Sequence, residues 1–258
     1  MLFSSYEFVF LFLPVTVCLF FLIATKGSYR QALGFLTVAS LFFYGWWKPV
    51  YLILLGLSII TNYFIALAVV RPDFSHYARR LILITGLFFN LGLIVYFKYK
   101  NFFVDNLNGI AGIAGIAGIG YENISIVLPL AISFFTFQQI AYLVDVYRDR
   151  QVERDFLKYA LFISYFPQLI AGPIVHHREL LPQLHSNKIF LLNWTNIAAG
   201  LTIFAIGLFK KVVLADSLSP TVHSVFDEAS VGGYVSFFVA WGGALAYTLQ
   251  LNFGVVGI

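Results

Sequence analysis

Five histidines, three glutamines set in apolar runs and one pair of adjacent lysines are the residues of this chain best equipped for chemistry. The histidines are His76, His176, His177, His185 and His223. None is spaced as His-Glu-x-x-His, and the adjacent pair His176-His177 would point in different directions on a helix, so no metal site is expected. An imidazole can act as a general base, but all five fall in loops or at the ends of apolar runs, where a solvated or interfacial histidine is the simpler reading. Ser4, Ser5, Ser217 and Ser219 lack a Gly-x-Ser-x-Gly context, and no phosphate-cradling glycine loop is present. The lone cysteine, Cys18, excludes an internal disulfide and a zinc–thiolate cluster and reads as a small apolar packing residue.

Gln138, Gln139 and Asp145 share one apolar segment, and Gln168 sits in the next beside Pro167 and the pair Gly172-Pro173. Two readings stay open for these groups: hydrogen bonds that bridge helices, or the lining of a polar tunnel. Lys210 and Lys211 follow the apolar run Ile203–Phe209. They read either as lysines snorkelling to a membrane surface or as a site for an anionic group such as a phosphate at the cytoplasmic face.

The elements that must position these residues are membrane spans. Sixty per cent of the 258 residues are hydrophobic, 11% are charged, and the mean hydropathy is +0.86. A soluble domain carries roughly 25% charged residues, and a soluble fold this small could not bury so much apolar surface. The net charge of +4 does not indicate nucleic acid, because the basic residues are scattered through short loops. A bilayer crossing takes about 20 apolar residues. Eight segments qualify: Phe8–Ala24, Gln31–Trp47, Val50–Val70, Leu81–Tyr99, Ile126–Tyr147, Phe156–Val175, Ile197–Ala215 and Tyr234–Leu251. The first follows Met1–Glu7, which lacks Lys and Arg, and reads as a retained helix rather than a cleaved signal. Phe42, Phe43, Tyr44, Trp46 and Trp47 form an interfacial aromatic belt. Gly109–Gly120, with glycine at every third position, reads as a flexible or re-entrant loop, with a small-residue packing surface as the minor alternative. The expected fold class is an all-α polytopic membrane protein, a single transmembrane domain over residues 1–258 with some broken or re-entrant segments. Segments five and six, polar and interrupted by proline, should face a protein interior.

If all eight segments cross, eleven Lys and Arg residues, Lys210 and Lys211 among them, fall on one side and five on the other, Lys48, Lys98, Lys100, Arg178 and Lys188. The richer side should be cytoplasmic, with the N-terminus outside. A re-entrant segment five or six would break this count.

Five strings occur in order: MLFSSYEFVFLFLPV from Met1, FFYGWW at Phe42–Trp47, LPLAISFFTFQQIAYLVDVYR at Leu128–Arg148, YFPQLIAGPIV at Tyr165–Val175 and GLFKKVVLAD at Gly207–Asp216. Together they resemble the membrane-bound O-acyltransferase family over Met1 to about Gln250. The bacterial polysaccharide branch, of which alginate O-acetyltransferase is an example, is the nearer likeness. The D-alanyl transfer protein of teichoic acid synthesis is similar but fits less closely. The resemblance implies a multi-helix enzyme of the bacterial inner membrane. Such an enzyme passes an acyl group from a cytoplasmic thioester donor, acetyl-CoA or an acyl carrier, to hydroxyls of an extracytoplasmic polysaccharide such as alginate. Periplasmic helper proteins would assist, and no bound cofactor is implied.

On that reading Gln138, Gln139, Gln168, Pro173, Lys210 and Lys211 are the candidates for a substrate or donor channel. After AYTLQL the family continues Tyr-Phe-Asp-Phe-Ser-Gly-Tyr-Ser-Asp, whereas this chain reads Asn252-Phe253-Gly254-Val255-Val256-Gly257-Ile258. The resemblance therefore implies a chain that stops in mid-motif, with the family's catalytic histidine expected beyond Ile258 and matched by none of the five histidines. Two other classes compete. A transporter or channel would also use broken helices, though no internal repeat relates the two halves. An inactive scaffold fragment is the other.

Overall fold

The computed structural model describes residues 3–113, 128–169 and 177–256, and no strand occurs among them. In chain order the helices are α1 (Phe8–Lys26), α2 (Tyr29–Gly45), α3 (Val50–Val69), α4 (His76–Ile94), α5 (Lys100–Ile113), α6 (Ile132–Asp149), α7 (Phe156–Ser164), α8 (Phe166–Leu169), α9 (His177–His185), α10 (Trp194–Phe209), α11 (Asp216–Ser230) and α12 (Phe237–Val256). Among the described residues, four helical stretches are long and apolar enough to cross a bilayer: Phe8–Lys26, Val50–Val69, His76–Asn108 and Trp194–Ser230. The protein is an all-α, multi-pass membrane protein.

Polar caps set several helix starts that the hydrophobic runs alone misplace. The Ser28 hydroxyl accepts from the backbone N–H of Arg30 while Gln31 reaches back to the Ser28 N–H, so α2 begins at Tyr29 rather than Gln31. Ser75 accepts from the Ala78 N–H, which starts the fourth span at His76 instead of Leu81. Asn193 accepts from Thr195 and Asn196 and starts α10 at Trp194, before Ile197. The fifth segment begins later than expected, at Ile132, because Pro129 and the left-handed Ala131 (φ 57°) hold the approach in a turn. Of the Gly109–Gly120 stretch, residues 109–113 continue α5 instead of forming a loop, since extending an existing helix needs no new nucleus. The remainder lies outside the described residues.

The sixth segment, Phe156–Val175, is not one continuous helix over its described residues. Nine residues of α7 rise about 14 Å, less than half of a hydrocarbon core of roughly 30 Å, and the chain turns at Tyr165 before the four-residue α8. Pro167 accounts for the break: in a continuous helix its ring would clash with the Ile163 carbonyl, and it has no N–H to donate. Gly172 and Pro173 lie outside the described residues.

The chain divides into two compact units, residues 27–189 and residues 1–26 with 190–258. In the larger unit α3, α4 and α6 pack together, and α2 and α3 cover α7. The ends of this unit are fixed by cross-contacts. Tyr44, at the end of α2, donates to the Leu130 carbonyl at 3.0 Å, just before α6. At the other end the Tyr63 hydroxyl donates to the Arg154 carbonyl, and Tyr147 meets His76 at 3.2 Å. In the smaller unit α1 and α10 pass each other in opposite directions. Phe8 lies 6.3 Å from Phe204 and Phe20 lies 5.9 Å from Phe190. α11 and α12 form a hairpin, turned at Gly232 (φ 75°) and closed by the Gly233 N–H on the Glu228 carbonyl.

Gly86 lets α4 approach its neighbours. A Cβ there would stand 2.9 Å from Leu143 Cδ1 and 3.0 Å from Ile65 Cγ2, whereas one at Gly56 would meet nothing within 4 Å. Gly86→Leu should therefore overpack the bundle by about 1–3 kcal/mol and lower the thermal midpoint in detergent, while Gly56→Leu should leave it near the starting value.

Candidate functional site

The interior of the larger unit holds a column of polar side chains between apolar helices. Asn62 on α3 and Asn90 on α4 exchange amide hydrogen bonds of 2.6 and 3.2 Å, and each also donates to a carbonyl one turn back, Ser58 and Gly86. The Ser58 hydroxyl donates to Gln139 Oε1 on α6 at 3.3 Å. Ser58, Asn62, Asn90 and Gln139 are wholly buried. The Gln139 Nε2, the Thr136 hydroxyl and the Tyr159 hydroxyl are buried with no hydrogen-bond partner. In a medium of low dielectric an orphaned amide of this kind is costly.

The glutamines separate into two roles. Gln138 Nε2 and Gln168 Nε2 both donate to the Phe162 carbonyl, at 3.2 and 2.7 Å. Phe162 lies in the last turn of α7, where carbonyls lack an intrahelical donor, so these two amides cap a helix whose end is buried in the unit. The same break is tied elsewhere by the Ser164 hydroxyl on the Ala160 carbonyl and by the Phe166 N–H on the Ser40 hydroxyl. Gln139 faces α3 instead and keeps an unused donor.

A cleft of about 400 Å³ is lined by Tyr142, Glu153, His177, Arg178, Leu181 and His185 among others. Tyr142 borders it from α6: its ring packs 6.1 Å from Phe162, and its hydroxyl accepts from the Glu153 N–H at 3.0 Å. α9 is latched to this end by three polar contacts. His177 Nδ1 lies 3.4 Å from Asp145, Arg178 pairs with Asp149, and His185 Nε2 lies 2.7 Å from Glu153. Lys158 Nζ stands 2.7 Å from the other His185 nitrogen. An ammonium only donates, so His185 Nδ1 accepts, and Nε2 carries the proton given to Glu153. With both nitrogens engaged, His185 as placed here is an organiser of the cleft rather than a free base. Arg178 holds the Asp149 carboxyl below the usual carboxylate range through its hydrogen bond first and its charge second, and Asp149 in turn raises Arg178.

Lys210 and Lys211 belong to the smaller unit. They line a groove of about 400 Å³ with Phe3, Ser4, Phe204 and Gly207, and Lys211 pairs with Asp216. Pro173 and His176 lie outside the described residues. Sequence reasoning did not single out Ser58, Asn62, Asn90 or the Glu153–His185–Lys158 group. The i, i+4 spacing of Ser58 with Asn62 inside an apolar span is the signal that could have found the first two.

Residues 152–255 match the membrane-bound O-acyltransferase family. The whole chain is 42% identical over 284 residues to a protein of Helicobacter pylori named peptidoglycan O-acetyltransferase, of which it covers 52%. It is 38% identical over 260 residues to a probable alginate O-acetylase of Azotobacter vinelandii, covering 49% of that protein. A relative of the same name in Pseudomonas aeruginosa is 37% identical over 260 residues, with 47% covered. The family match lies in residues 152–255, and the chain spans about half the length of these curated relatives. No solved structure matches it.

Two outcomes follow from this geometry. Replacing Gln138 and Gln168 together by Leu should orphan the Phe162 carbonyl and cost about 1–3 kcal/mol. Asn62→Leu should cost less, since side-chain bonds between membrane helices average about 0.6 kcal/mol. Chemical denaturation in detergent compares them. Because the Asp149 pKa is depressed, its contribution is present above the ordinary carboxylate range and is lost only as pH falls through the lowered folded value. Amide exchange in α9 should therefore stay protected through that range and accelerate below it, and Asp149→Asn should remove the step.

Proposed function

We propose that this chain forms part of a membrane O-acetyltransferase of the bacterial inner membrane, which esterifies hydroxyls of an extracytoplasmic polysaccharide from a thioester donor on the cytoplasmic side. The observation that carries this reading is similarity along the whole chain to proteins named for O-acetylation of peptidoglycan and alginate.

In the reaction the acceptor oxygen attacks the thioester carbonyl, a carbon–oxygen bond forms, and the carbon–sulfur bond breaks. The hydroxyl proton passes to the departing thiolate. Gln138 and Gln168 hold the broken end of α7, and Gln139 keeps an unused amide donor between the apolar helices. The arginine-rich end, with the Glu153–His185–Lys158 cleft, is the donor side on this reading, and the N-terminus is extracytoplasmic. Periplasmic proteins would present the polymer.

Membranes from the source cells test this directly. Supplied with radiolabelled acetyl-CoA and de-O-acetylated peptidoglycan or alginate, they should place label in the polymer that mild alkali releases as acetate, and deletion of the gene should abolish it. Transfer that persists undiminished after deletion would sink the proposal.

A further inference from the structure

In the smaller unit a stripe of α10 runs from glycine to lysine along one groove. Gly200, Ile203, Phe204, Gly207, Leu208 and Lys211 recur at the spacing of a single helix face, and all six line the same space of about 400 Å³. From Gly200 to Lys211 a helix rises about 16 Å, close to half of a hydrocarbon core of roughly 30 Å. The groove is thus about one leaflet long, apolar along its length and basic at one end. No residue of α10 is buried, and a Cβ added at Gly200 would meet nothing within 4 Å. At the basic end the helix widens into a π turn, Lys210–Ala215, a local form frequent at functional sites. Asp216 neutralises Lys211 there. Lys210 is half-buried and, among the described residues, has no hydrogen-bond or ion-pair partner. α1 runs antiparallel to α10, with Phe8 beside Phe204 and Phe20 beside Phe190, which carries Ser4 to the lysine end of the groove.

We propose that this groove binds an anionic phospholipid, with the phosphate accepting from Lys210 and Ser4 and one acyl chain lying along the stripe between Gly200 and Gly207. A half-buried ammonium without a counter-charge is costly, and the phosphate offsets that cost. Lysines at the end of an apolar helix sit at the level of the headgroups, and basic pockets between membrane helices suit acidic lipid heads. A free phosphate would fill only the head of the site and leave the apolar stripe uncovered. A docked peptide would have to bring its own carboxylate to Lys210. The site does not depend on acyl transfer, and its test does not read activity.

The full-length native protein in a neutral detergent is mixed with phosphatidylglycerol or phosphatidylcholine of equal chain length, and retained lipid is counted by native mass spectrometry. Phosphatidylglycerol should be retained about fivefold better, the equivalent of roughly 1 kcal/mol for one lysine at an anionic surface. Lys210→Ala and Lys210→Gln should each lose that preference, and Lys210→Arg should keep it. Gly200→Leu should weaken retention of both lipids by filling the path of the chain. Lys26→Ala, at the exposed end of α1, should change nothing. Absence of retained lipid, equal retention of the two lipids, or displacement of the lipid by millimolar inorganic phosphate overturns the proposal. So does a full preference in Lys210→Gln, or an equal loss in Lys26→Ala.

Discussion

A helix that stops inside a bilayer must find donors for its last carbonyls, because no water is there to supply them. The larger unit is organised around that constraint. α7 ends at Ser164, and the Phe162 carbonyl is met by two glutamine amides, one from α6 and one from α8. Ser40 on α2 receives the first N–H after the break. Elements from four parts of the chain are thus drawn to one point by backbone groups that would otherwise be orphaned. α6 is the helix that makes this workable. It carries Gln138 toward α7 and Gln139 toward α3, adjacent residues about 100° apart on a helix of 3.6 residues per turn.

The second polar layer, Asn62 with Asn90 and Ser58 with Gln139, locks α3, α4 and α6 into register. Apolar side chains pack against lipid about as well as against each other, so association in a membrane rests on close approach and on buried hydrogen bonds. Gly86 provides the close approach on α4, one turn before Asn90, which supplies the hydrogen bond. The unpartnered donor of Gln139 stands where these layers meet.

At the arginine-rich end the chemistry changes from neutral amides to ion pairs. Asp149, Glu153 and Lys158 hold α9 against the end of α6, with the nearly buried Glu153 carboxylate compensated by its contact with His185.

Composition and hydropathy were enough to establish an all-α membrane protein, since so apolar a chain has no other solvent in which to fold, and five ordered motifs were enough to show its resemblance to the membrane-bound O-acyltransferase family. The proline-marked weakness of the sixth segment was also legible, because Pro167 cannot continue a helix wherever it sits. What Gln138, Gln139 and Gln168 do was not legible. Linear text cannot show that two of them converge on one carbonyl while the third turns to Ser58, because those contacts join residues up to 81 positions apart. Nor could the sequence show that α9 lies beside the end of α6. Hydropathy measures how long a segment stays apolar and carries no direction, so the placement of His177 beside Asp145 and the antiparallel course of α1 and α10 were decided by tertiary packing alone.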